Sequence, residues 1–154
     1  MKFILFGTLL GLFFINNDNP VNNTVNPVVT DSIPSLLKGE FVDDYDIHYT
    51  VSDSLFFMHP RAKYHIIKWN TKDQYFIARN DTINPSEKGL YSRIDYMYFE
   101  NMAPWGWGFC LTVYDAKTDA QAETQAVADR KNPKKGCNGF PFSRMKRVGK
   151  DDVR

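Results

Sequence analysis

The sequence predicts an antiparallel up-and-down β-barrel, or a strongly curved sheet, of about 7–8 strands with one α-helix before the last strand. Short segments with period-two apolar alternation recur along most of the chain, and turn residues separate them at close intervals. Aromatic residues make up 15% of the composition, and flat rings suit a pleated, half-buried surface. Short connections make successive strands antiparallel neighbours, and a meander of this size hides its edges by curling on itself or packing on a second sheet. A length of 154 residues fits one compact domain with terminal extras and excludes two large domains.

Met1-Lys2 precede an unbroken apolar run, Phe3–Ile15, of 13 residues. That is short for a membrane span, which needs about 20, and matches the core of a secretory signal peptide. Residues 1–16 are therefore expected to direct export to the periplasm or the extracellular space, leaving no stable membrane span after signal removal. No small-x-small site follows Ile15, so the cleavage position stays open. Neither cysteine lies near the run, which excludes a lipid-anchored cysteine start. Residues 17–32 are rich in Asn, Pro and Thr and poor in large apolar groups; they cannot bury enough surface to offset the entropy of ordering and read as a disordered tether. The folded domain is expected over residues 33–148, with a polar tail at 149–154.

Within the domain, Ile47, Tyr49 and Val51 alternate with His48, Thr50 and Ser52. Asp53-Ser54 turns the chain into Leu55–Met58, which makes a hairpin. Pro60 breaks the next connection because it cannot donate to a ladder. Lys63–Trp69 then places Tyr64 and Ile66 on one face and His65, Ile67 and Trp69 on the other. Asn70–Asp73 is a turn, Gln74–Arg79 a strand, Asn80–Lys88 a longer loop ended by Gly89, and Leu90–Phe99 the longest strand candidate. After Asn101–Gly106 comes a strand over Trp107–Tyr114. Thr118 and Gln121 have capping-box spacing at the head of a helix expected over Ala120–Arg130, stopped by Asn132-Pro133. Its apolar groups are mostly alanines, so it should lie flat on another element. Asn138-Gly139 is a turn, and Phe140–Val148 the returning strand.

Two cysteines in an exported chain invite pairing, so Cys110 and Cys137 are expected to form a disulfide tying the helix region to the barrel wall. Nineteen basic and 18 acidic side chains leave a formal charge of +1, which supplies no field for nucleic acid or an anionic membrane. No phosphate loop, serine elbow or zinc-protease helix occurs, no pair of histidines has helical ligand spacing, and neither cysteine has a partner at finger-like spacing; no metal or cofactor is expected. Asp43, Asp44 and Asp46 form an acidic stretch that reads first as a solvated turn. Arg93 and Asp95 share a strand face with Tyr91, Met97 and Phe99. If that face points inward, the pair is either mutual and structural or waits for a polar ligand. Trp105 and Trp107 flank Gly106, and in a regular strand both indoles share one face, as core or as a stacking platform.

Gly39-Glu40-Phe41 resembles the Gly-x-Trp opening of the first strand in the lipocalin-like, or calycin, barrels, with Phe41 in place of Trp. Arg144 in the closing strand resembles the basic residue that covers that ring, and the helix before a late strand also fits. The stretch Gly136–Met145 resembles small exported bacterial proteins, a likeness that implies no reaction. The leading expectation is an exported, non-enzymatic barrel binding a small, partly apolar molecule in an aromatic-lined mouth. Tyr96, Trp105 and Trp107 would stack on it, and Arg93 with Asp95 would orient its polar group. The alternatives are a cell-envelope protein-interaction module with a filled interior, and an enzyme pairing Asp43, Asp44 or Asp95 with a histidine. Interior volume discriminates the first two.

Overall fold

The computed structural model describes residues 32–149; the expected signal peptide, nearly all of the tether and the tail beyond Gly149 lie outside them. A single 3-10 turn, Ser35–Leu37, leads into β1 (Gly39–Asp43), β2 (His48–Val51), β3 (Leu55–Met58), β4 (Ala62–Asn70), β5 (Tyr75–Asn80), β6 (Tyr91–Tyr98) and β7 (Trp105–Ala116). Helix α1 (Asp119–Gln125) and β8 (Ser143–Arg147) follow. Every strand pairs antiparallel with the next, and β8 returns to β1, closing the barrel. An eight-stranded antiparallel barrel with one helix before its last strand is consistent with a lipocalin-like fold.

Local chemistry explains the corners. Asp43 Oδ1 accepts from the backbone N–H groups of Tyr45 and Ile47, both at 2.9 Å, and Oδ2 accepts from the Tyr49 hydroxyl at 2.8 Å. The first turn is thus held by a buried carboxylate, not a solvated one, while Asp46 supplies the left-handed residue at φ 61°. Asn138 and Gly139, at φ 50° and 89°, form the expected turn before β8.

Rings fill the interior. Phe41, Tyr49, Phe56, Tyr64, Trp69, Phe76, Tyr96, Trp107 and Phe109 pack in one cluster with Val51, Ile66, Ile94 and Met145. Ring centroids such as Phe56–Phe109 at 5.2 Å and Phe41–Trp107 at 5.3 Å are edge-on or tilted contacts, the geometry that aromatic quadrupoles favour. Trp69 belongs to this cluster, which corrects the simple alternation. A bulge between Ile66 and Lys68 shifts the register, so Trp69 joins Tyr64 and Ile66 inside and its indole N–H donates to Asp53 O at 3.0 Å.

At the start of β1, the Arg147 guanidinium lies 4.8 Å over the Phe41 ring and donates to Lys38 O and Leu36 O at 2.9 and 3.2 Å. Gly39 permits this approach: its φ is 133°, and a Cβ there would stand 2.3 Å from Arg147 Nη1. The residue that covers the first-strand ring is therefore Arg147 and not Arg144, because strand pairing sets Arg147 opposite Phe41.

The helix is shorter than its sequence pattern. Thr118 caps it through Gln121 N as expected, but it stops at Gln125, and Ala126 is extended at φ −155°. Arg93 Nη1 donates to Glu123 O at 2.5 Å, satisfying a carbonyl that a longer helix would use. The extended chain beyond it carries Ala128 onto Cys110 and Phe142. Ala122 packs on the outer face of the barrel with Tyr75, Ile77, Val113 and Ala116. Strands β5 to β7 are consequently buried on both faces. The final strand begins at Ser143, three residues later than the sequence suggests, because Phe140 pairs back onto Cys137.

Cys110 and Cys137 are bonded, with Cα atoms 5.4 Å apart. Replacing both with Ala frees a segment whose ends are 27 residues apart, and urea unfolding should register a loss of about 3–4 kcal/mol, with the β-sheet circular dichroism retained.

Candidate functional site

The five residues that the sequence singles out as ligand contacts fall in three places. Tyr96 and Trp107 are inside the barrel, 0% and 1% exposed. Trp107 Nε1 has no hydrogen-bond partner among the described residues. Trp105 is outside: the register shifts between Trp105 and Trp107, and the Trp105 ring meets Arg144 at 5.0 Å and Lys146 at 5.7 Å, which flank the inward-facing Met145. The two indoles therefore do not share a face, and the bulge is the reason.

Arg93 and Asp95 occupy the third place. Their face of β6 points away from the interior, since Ile94 and Tyr96 between and beside them enter the central cluster. They are buried nonetheless, beneath α1 and the chain that follows it. Asp95 accepts from Arg93 Nε and Nη2 at 2.9 Å each, from Thr112 Oγ1 at 2.5 Å and from Arg130 Nη2 at 2.8 Å. Arg130 also donates to the carbonyls of Tyr96, Asp73 and Gln74. One carboxylate thus pins a strand, a turn and the post-helix segment together. Around it, Glu123 accepts from Lys68 at 2.5 Å and from the Tyr75 hydroxyl. The Lys68 bond, then the Tyr75 bond, holds the Glu123 carboxyl below its usual range, and the same bond to Glu123 raises Lys68.

The aspartates considered for acid–base chemistry have other partners. Asp43 holds the first turn, Asp44 accepts from Arg144 Nε at 2.9 Å, and Asp95 is bound as above. Among the described residues the aspartate paired with a histidine is Asp81, 2.7 Å from His65 Nε2 on the outer surface. His59 instead shares a hydrogen bond with the Thr50 hydroxyl. Burial first, then the bond to Asp43, raises the Tyr49 hydroxyl far above its ordinary value, so it stays protonated.

Concave apolar surface lies outside the barrel. A groove of about 640 Å³ runs between the end of β6 and the segment before β8. Met97, Tyr98, Phe99 and Met102 come from the β6 side, Pro141 and Phe142 from the segment before β8, and Asp44, Glu100, Lys134 and Arg144 add charge to the lining. Phe99 rests directly on Gly108, where a Cβ would stand 2.7 Å from its Cζ. Met97 and Phe142 also pack on the disulfide, so the sulfur bridge supports the groove floor. Met97 stands out in the sequence only as a strand-face neighbour of Arg93 and Asp95, and Met102, Phe142 and Arg130 do not stand out as site residues at all. No spacing rule connects them, because the groove joins segments about 40 positions apart and Arg130 meets Asp95 across 35.

Removing the Asp95 carboxylate leaves two guanidiniums without their anion. Asp95→Ala should cost about 3–5 kcal/mol, measured by chemical denaturation. The depressed Glu123 carboxyl contributes stability that is present above the unfolded carboxylate value of about 4.3 and lost as pH falls through the lower folded value. Amide exchange in α1 should therefore accelerate in acid beyond its intrinsic pH trend, and Glu123→Gln should remove that dependence.

Comparison of the chain with protein-family models, with curated proteins and with solved structures yields no match. Its function is read from its own geometry.

Proposed function

We propose that the chain is an exported, non-enzymatic barrel of the lipocalin-like group that binds a small, partly apolar molecule in the groove beside β6 rather than within the barrel. The observation that carries this reading is the contrast between the two spaces. The interior is occupied by the protein's own rings, whereas the outer groove offers about 640 Å³, inside the range of ordinary ligand sites. Its lining is largely apolar, and the charged groups among it, Asp44, Glu100, Lys134 and Arg144, can orient a polar substituent. Methionines at 97 and 102 adapt to irregular ligand shapes, and Phe99 and Phe142 supply rings for stacking. Trp105 borders the site through Arg144, whose guanidinium reaches both the indole and the groove lining. A disulfide under the floor suits an oxidising compartment and supports the export reading.

The filled interior also favours the second reading, an interaction module, with Tyr45 and Phe140 standing exposed at the groove end of the molecule. Methyl-labelled methionine spectra separate the two. With lipids, sugars and tetrapyrroles as probes, binding in the groove should shift Met97 and Met102 and leave the interior Met145 in place. Met97→Glu, read at the remaining Met102 methyl, should abolish its shift. Silence of both groove methyls across the panel, or movement of Met145 alone, would sink the small-molecule reading at this site.

A further inference from the structure

A second concavity, independent of the groove, opens beside the Asp95 network. It measures about 490 Å³ and is lined by Lys72, Asp73 and Gln74 of the β4–β5 turn, with Tyr75, Arg93, Val127 and Arg130. We propose that it binds a small oxyanion, a carboxylate or phosphate group, between Arg130 and Lys72.

Charge balance is the first ground. Asp95 is fully buried and takes both guanidiniums, so the Arg93–Asp95–Arg130 cluster keeps one positive charge in excess. The bonds to the carbonyls of Tyr96, Asp73, Gln74 and Glu123 are made to dipoles and do not cancel it. Nearby acids leave the excess standing. Glu123 is engaged by Lys68 and Tyr75, and Asp73 accepts from Asn70 while making no ion pair with either arginine. With the Lys68–Glu123 pair balanced, Lys72, Arg93 and Arg130 against Asp73 and Asp95 leave one positive charge in excess for the pocket and its backing.

Donor geometry is the second ground. Arg130 directs Nε and Nη2 inward, but its Nη1 has no hydrogen-bond partner among the described residues. The Arg93 guanidinium is held flat, 3.9 Å from the Tyr75 ring centroid and against Asp95. The positive edge is therefore preorganised, which lowers the ordering cost of binding an anion. Lys72 makes no ion pair among the described residues and reaches the same space from the turn. Val127, 62% exposed, gives the opposite wall an apolar surface for the organic part of the ligand. A purely structural network explains the Asp95 bonds but leaves the surplus charge and the free guanidinium edge without a role.

The test follows the Arg130 Nε–Hε resonance in the full chain during titration with sodium phosphate, sodium acetate or sodium chloride at constant ionic strength. Phosphate, acetate or both should produce a saturable shift, and chloride should not. Response to phosphate alone assigns a phosphate group, to acetate alone a carboxylate, and to both the shared oxyanion chemistry. Lys72→Glu and Val127→Asp alter exposed side chains and should leave the fold intact, while weakening the response about fivefold or more. No saturable shift with either oxyanion, an equal effect of chloride, or binding unchanged in both folded variants would overturn the proposal.

Discussion

Eight antiparallel strands close a ring just wide enough for side chains to fill, and in this protein the filling is aromatic. Tilted rings from β1 to β7, with Met145 of β8, take up the centre. A centre filled by its own rings leaves little room for anything else, so the two concave surfaces described above lie on the outside of the wall. That single constraint orders the rest of the molecule. Strands β5 to β7 acquire a second, outer layer, and the groove and the Arg130 concavity lie along its borders.

The outer layer contains little apolar mass, since its helix contributes mainly Ala122. It is fastened by polar and covalent anchors instead. Asp95 collects two guanidiniums and the Thr112 hydroxyl, Glu123 collects Lys68 and Tyr75, and the disulfide fixes the return to β8. Buried ionic networks contribute less to net stability than their bond count suggests, because desolvation offsets much of the attraction. Their contribution here is positional. They hold the segment after α1 in one register on the barrel, and so fix the two walls that the concavities need. Asp43 and Arg147 do the same work at the barrel's opening strand, one through backbone amides and the other through backbone carbonyls.

Much of the architecture was legible from residue order. Period-two alternation, turn residues and short connections indicated an antiparallel barrel, the capping residues placed the start of α1, and the cysteines were paired correctly. The misplaced rings share one cause. Local periodicity carries no information about where a ladder slips, and single bulges moved Trp69 inward and Trp105 outward. Likewise the Gly39-Glu40-Phe41 opening pointed to an arginine in the last strand, but pairing register selected Arg147 over Arg144. Helix α1 ends sooner than its sequence pattern because Arg93, 30 positions away, satisfies Glu123 O.

By itself the chain determined its element types, their order and the sulfur bridge, because these follow from short-range sterics, hydrogen bonding and composition. Only the tertiary structure decided which side of the wall each ring occupies, that Arg93 and Asp95 lie beneath the outer layer, and that concave surface forms beside it. Those outcomes depend on strand register and on contacts between segments tens of residues apart, which close only when the barrel does.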